Sequence, residues 1–223
     1  MSYRQARLRR LNPHATNAAG DYVLYWTQVY RRLSHNHALD YALRCADELG
    51  LPLIVYEGLR LDYPWASQRL HRFVLDGMRD NAQEAAKVGI NYWPFVETPQ
   101  APARGLLTRL AARSALVVTD DFPCFIVPEQ SEALARRTSV PVWAVDSNSV
   151  VPLSLLQPTV SAAAHLRPRI HKAFAEAWAH RAAARPKLSD AARRHVDAPF
   201  ELWEADDLDA FVRSLPIDQG VLP

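Results

Sequence analysis

The densest run of reactive side chains in this 223-residue chain follows the segment Tyr22-Val23-Leu24-Tyr25-Trp26. Thr27, Gln28, Arg31, Arg32, His35, Asn36 and His37 come within one short polar stretch. Two guanidiniums next to a helix start suit an anion, because the first amides of a helix lack intrahelical partners and its dipole favours negative charge. Arg31 and Arg32 would serve equally well as surface charges or domain-interface partners. Asn36 has a commoner role as the helix N-cap. His35 and His37 alternate around a loop instead of sharing a helix face, so solvated histidines stand against a metal pair.

Strong catalytic signatures are missing from the sequence. It holds no G-x-G-x-x-G, Walker A, H-E-x-x-H, G-x-S-x-G or C-x-x-C pattern. Glycine is scarce (7) beside proline (16), which argues against phosphate loops rich in glycine. Cys45 and Cys124 are too few for a disulfide framework or a zinc site of the usual cysteine count, so a reducing, cytoplasmic setting is expected. Trp26, Trp65, Trp93, Trp143, Trp178 and Trp203 invite an electron-transfer reading. Three of them fall in or near predicted strands, where an indole buries area in a core.

The elements that must position these residues alternate along the chain. Apolar runs predict five strands, near 22–26, 52–56, 90–96, 115–119 and 141–145. Leu39, Ala42, Leu43, Ala46 and Leu49 recur with helical period between Asn36 and Gly50. A longer helix should start near Ser67 and stop at Gly89, and shorter ones fall around 106–111 and 127–137. Strands separated by helices imply parallel crossovers, hence an α/β fold with a doubly wound, Rossmann-like parallel sheet. Such a sheet opens a ligand crevice at the carboxyl ends of its strands. Rim candidates are Thr27, Gln28, Arg31 and Arg32 after the first strand, and Glu57 and Gly58 after the second. Asp120, Asp121 and Phe122 follow the fourth, and Asp146 and Asn148 the fifth. Asp146 and Asn148 are also good turn formers, and Asp120 is a possible cap for the next segment.

Composition bounds the rest. At 49% hydrophobic and 22% charged, with net charge +2, the chain is globular and its charge alone implies no nucleic acid. No window approaches 18 uninterrupted apolar residues, and the N-terminal arginines precede no apolar run, so neither a membrane span nor a secretory signal is expected. Residues 1–20 read as a basic arm and 21–152 as the α/β domain. Residues 153–185 read as a linker with a basic amphipathic helix, and 186–223 as the start of a truncated or missing domain. From His165 to Arg194, Lys and Arg outnumber acids eight to two, around an apolar stripe of Ile170, Phe174, Ala177 and Trp178. That stretch fits DNA binding or docking on another domain equally well. If no partner covers it, self-association follows.

Several motifs in sequence order resemble the opening of DNA photolyases, most closely class II cyclobutane-pyrimidine-dimer photolyases. They are Tyr25-Trp26, Arg32, Asn36-x-Ala38-Leu39, Phe73 to Met78, Val117 to Asp120, Val140 to Pro152 and Arg167-Pro168-Arg169-Ile170. The resemblance spans about residues 21 to 175. It implies an N-terminal α/β domain of a light-driven DNA-repair lyase, whose reduced FAD and DNA-binding face belong to a separate helical domain. No residue here is expected to ligate FAD, and the chain alone is expected to lack repair activity. The role left to this domain is antenna-like, with a deazaflavin or folate in or beside the crevice. Two departures bear on the loop contacts: Val29-Tyr30 stands where the family has Arg-Asp, and His35 where it has an acid. The rival reading is a stand-alone nucleotide-like ligand-binding or scaffolding module of the same fold.

Overall fold

A computed structural model describes residues 4–220. Its sheet has six strands: β1 (Leu8–Arg10), β2 (Tyr22–Thr27), β3 (Leu53–Leu59), β4 (Asn91–Val96), β5 (Ser114–Asp120) and β6 (Val142–Val145). Their spatial order is β1-β6-β5-β2-β3-β4. Every neighbouring pair is parallel except β1 and β6, which pair antiparallel with Leu8 opposite Val145 and Arg10 opposite Trp143. The α/β class stands, with one strand more than the five expected. That strand comes from the stretch read as a basic arm. Three residues with no apolar alternation carry no strand signal of their own, and pairing with β6 supplies what local pattern lacks.

Seven helices accompany the strands among the described residues: α1 (His37–Leu49), α2 (Gln68–Val88), α3 (Leu106–Arg113), α4 (Val127–Arg137), α5 (Ala163–Ala179), α6 (Asp190–Arg193) and α7 (Leu208–Ser214). Asn36 caps α1, its Oδ1 accepting from the amides of Ala38 (2.9 Å) and Leu39 (3.0 Å). Ser67 caps α2. Gly50 and Gly89 end these helices at φ 64° and 78°, where a side chain would be strained.

Both faces of the sheet are covered. Leu39, Ala42, Leu43 and Ala46 of α1 pack on Val23, Tyr25, Val55, Leu116 and Val118. On the other face, α3 and α4 bring Leu110, Ala111 and Leu134 against Leu24, Trp26, Ile54 and Val117. Burial from two sides explains why β2 and β5 read as unbroken apolar runs.

The basic stretch does not form one helix. α5 ends at Ala179, residues 180–189 are irregular, and α6 follows. Pro186 cannot continue a helix, and α1 ties the segment down: Asp40 accepts from the Ala183 amide at 2.9 Å and Asp47 from the Ser189 hydroxyl at 2.5 Å. The later residues return to the α/β unit. Phe200 stands edge-on to Tyr56, Trp93 and Phe95 at 6.2, 6.0 and 5.4 Å. Leu208 and Val212 of α7 are buried with Leu75 and Met78 of α2.

Candidate functional site

From β2 the chain winds outward through β3 and β4, then crosses back to β5 and β6 on the other side of β2. The switch point therefore lies between the ends of β2 and β5, the usual place for a ligand in such sheets. Asp120, last residue of β5, dominates it. The residue is 1% exposed. Its Oδ2 accepts from the amides of Gln28 (2.9 Å), Val29 (2.8 Å) and Tyr30 (3.0 Å), and its Oδ1 from the Tyr25 hydroxyl (2.8 Å). Burial pushes its pKa up while the three amides pull it down. Asp120 thus clamps the β2 loop over the switch point.

Beside it, Gln28 Nε2 donates to Thr119 Oγ1 and Ser131 Oγ, each at 2.8 Å. Gln28 Oε1 is buried with no hydrogen-bond partner among the described residues, and the buried Thr27 hydroxyl lies near that of Tyr25. Beyond β5, the Tyr30 hydroxyl donates to Asn148 Oδ1. Asn148 Nδ2 donates to the Asp121 carbonyl and to Asp146 Oδ1, both at 2.8 Å. Asp146 Oδ2 also accepts the Leu153 amide, so Asp146 and Asn148 do act as turn formers. Asp121 pairs with Arg9 at 2.7 Å.

On the other side of β2 the strand runs on to Leu59, so Glu57 and Gly58 lie inside β3 and not after it. Glu57 is fully buried. It accepts from Arg31 Nη1 (2.9 Å), Tyr92 Oη (2.7 Å) and Asn81 Nδ2 (3.1 Å). Proximity to this carboxylate helps burial drive the Tyr92 hydroxyl far above its ordinary pKa. Asn81 and Tyr92 carried no sequence signal as partners, since each sits in an element whose period marks it for the core. Arg32 remains exposed, its guanidinium 5.5 Å from the Tyr30 ring centre. Phe122 is half-buried.

Two residues outside the predicted set complete the rim. Trp65, after β3, and Phe125, after β5, meet with ring centres 5.0 Å apart while remaining 56% and 61% exposed. Their loops flank β2, so the pair links the two sides of its carboxyl end. Phe125 has φ 63°, an unusual and costly backbone state for a bulky residue. Nothing in the spacing of these aromatics reveals that they meet. His35 and His37 stay apart from the rim chemistry. Burial, reinforced by Arg7, Arg32 and Arg4, pushes His37 down to about 4. Among the described residues no group of three or more His, Cys, Asp or Glu is placed to hold a metal, and no helix is long and apolar enough to cross a membrane. Two guanidiniums, buried acceptors and an exposed aromatic pair thus meet around the end of β2, a combination chemically suited to a flat polar group.

The fold is a Rossmann-like α/β unit with these side chains around its switch point. No protein-family model matches the chain. Over 147 residues, 66% of its length, it is 37% identical to the deoxyribodipyrimidine photo-lyase of Methanothermobacter thermautotrophicus. Those residues make up 32% of that protein, so the chain spans about a third of the relative.

Proposed function

We propose that the chain is the N-terminal, antenna-type α/β part of a class II photolyase-like protein, whose whole activity is light-driven repair of cyclobutane pyrimidine dimers in DNA. The observation that carries this reading is the 37% identity to a photo-lyase over 147 residues, on a fold of the class the motifs imply. In this reading, reduced FAD and DNA are held by a helical domain and not by the present residues. The exposed, stacked pair Phe174 and Trp178 on α5 offers that domain a docking face.

The rim suits an antenna chromophore of the deazaflavin or folate kind. Such a group, when bound, absorbs light and passes the excitation to the flavin. Trp65 and Phe125 would lie against its flat face. Gln28 holds a buried unpartnered oxygen that a polar ring edge would satisfy, Thr27 lies beside it at the end of β2, and Arg31 and Arg32 would meet its anionic substituents. Glu57, Asp120, Asp121, Asp146 and Asn148 act one layer back, holding the loops that carry these groups, and Phe122 adds apolar rim.

Titration with a hydroxylated deazaflavin and, separately, a methenyl folate tests the antenna role by fluorescence. One of them should bind, and the Trp65→Ala, Phe125→Ala double variant should weaken it at least about tenfold, the equivalent of 1.4 kcal/mol. Failure of both ligands removes that role. Dimer-containing DNA illuminated with the chain and reduced FAD should remain unrepaired. Repair above the buffer rate overturns the division of labour proposed here.

A further inference from the structure

A concave site lies away from the rim. A cleft of about 490 Å³ opens between β1, the outer face of α1 and the irregular segment after α5. That volume is in the range of small-molecule pockets, which run from about 300 to 1,000 Å³. Leu8, Leu43 and Val145 give it an apolar floor, and Tyr41 an aromatic wall. Its charge is lopsided. Arg4, Arg7, Arg44, Arg181 and Lys187 line it, against Asp40 and Asp47.

Asp40 accepts the Ala183 amide and Asp47 the Ser189 hydroxyl, and the charge of Asp40 is shared with Arg4 and Arg44, so the two acids offset part of the five cations. Of the five cations, Arg44 alone has an acid within 4 Å among the described residues, Glu48 at 3.8 Å. Arg7 is 5% exposed, yet its nearest acceptors are neutral carbonyls, including Asp146 O at 2.9 Å and Ser149 O at 3.0 Å. Burial lowers its pKa, and the nearby charge of Asp146 partly offsets this. Five cations from three stretches of chain against two carboxylates leave the cleft net positive, which favours an anion there.

We propose that this cleft binds an organic diphosphate of nucleotide size, its phosphates among Arg4, Arg181 and Lys187 and its ring beside Tyr41 and the Arg44 guanidinium that lies 5.0 Å from the Tyr41 ring centre. The volume of the cleft is that of a small-molecule site. The site shares no residue with the rim, so its success or failure is independent of the antenna reading.

Calorimetric titrations with ADP, pyrophosphate and adenosine test the proposal. ADP should bind more tightly than pyrophosphate, and adenosine should not bind. Arg181 and Lys187 are exposed, so the Arg181→Glu, Lys187→Glu double variant should fold normally by circular dichroism and weaken ADP at least about tenfold. The single Lys187→Gln variant, a milder change, should weaken it about threefold. Raising salt toward about 0.5 M should also weaken binding, because screening acts on exposed charges. No heat from ADP or pyrophosphate at about 1 mM, a range equivalent to −4.1 kcal/mol, overturns the proposal. Affinity unmoved by both variants, equal binding of adenosine, or binding of a short single-stranded oligonucleotide in place of ADP also overturns it.

Discussion

Tyr25 and Asp120 face each other across adjacent strands, hydroxyl to carboxylate at 2.8 Å, both fully or almost fully buried. The contact joins β2 to β5 at the switch point, and the same carboxylate holds the three amides that follow β2. Burial, with the neighbouring charge of Asp120, raises the Tyr25 hydroxyl well above its ordinary pKa, so it stays a donor at any physiological pH.

Replacing Asp120 should therefore cost far more than one hydrogen bond. Asp120→Ala leaves several buried donors unmatched, with an expected loss of about 3 kcal/mol or more. For a chain of this size that is a fall of roughly 10 °C in Tm. Thermal denaturation followed by circular dichroism measures it, and an unchanged Tm contradicts the clamp.

Glu57 tests the other half of the rim. Tyr92→Phe removes one donor from a buried carboxylate and should cost about 1–2 kcal/mol. Arg31→Gln should cost less than a fully buried ion pair, because the Arg31 side chain remains 26% exposed and solvent screens it. In a double-mutant cycle read by denaturant unfolding, the two changes should couple, since both act on one carboxylate.

His37 gives a pH dependence with a definite sign. Folded, it takes up its proton only near pH 4; unfolded, near its ordinary 6.5. Between those values the unfolded chain binds more protons, so stability falls with acid. The contribution is complete above pH 6.5 and is lost as the pH drops toward 4. The decline in Tm from pH 7 to pH 5 should be shallower in His37→Gln than in the parent protein.

Phe200 should hold the C-terminal stretch against the sheet. Phe200→Ala removes edge contacts to Tyr56, Trp93 and Phe95, with an expected cost of about 2 kcal/mol for a half-buried aromatic. Limited proteolysis should then cut within residues 194–207 sooner than in the parent, and an unchanged cleavage rate would remove the strap from the account.

The exposed α5 aromatics predict association at high concentration. Sedimentation should show oligomers that dissociate in Phe174→Ser, Trp178→Ser, and a clean monomer in the parent protein would speak against a sticky α5 face.

The parallel strands and the ends of α1 and α2 were readable because their signals are local. Apolar runs marked β2, β3 and β5, while Asn36, Ser67, Gly50 and Gly89 punctuated the helices. β1 escaped because edge pairing is a long-range fact with no local period. Helicity after Ala179 was over-read because charge and composition do not report that Asp40 and Asp47 capture the backbone and a side chain of that segment. At the rim, residue types placed the ends of β2 and β5 to within one residue, whereas β3 runs past Glu57 and Gly58 to Leu59. Roles were harder, because whether Asp120 faces a ligand or three amides depends on where the β2 loop folds. The meeting of Trp65 and Phe125 across two loops is equally invisible in one dimension.

β1 has a consequence for how larger bodies can approach. It sets Arg9 and Arg10 along one margin of the sheet. At the opposite margin β4 contains Pro94, which offers no amide, and the Pro94 carbonyl already accepts the Trp203 amide at 3.0 Å. Neither border invites an incoming strand to extend the ladder, so fibril-like growth is blocked on both flanks. Any companion body must seat itself on loops or helices.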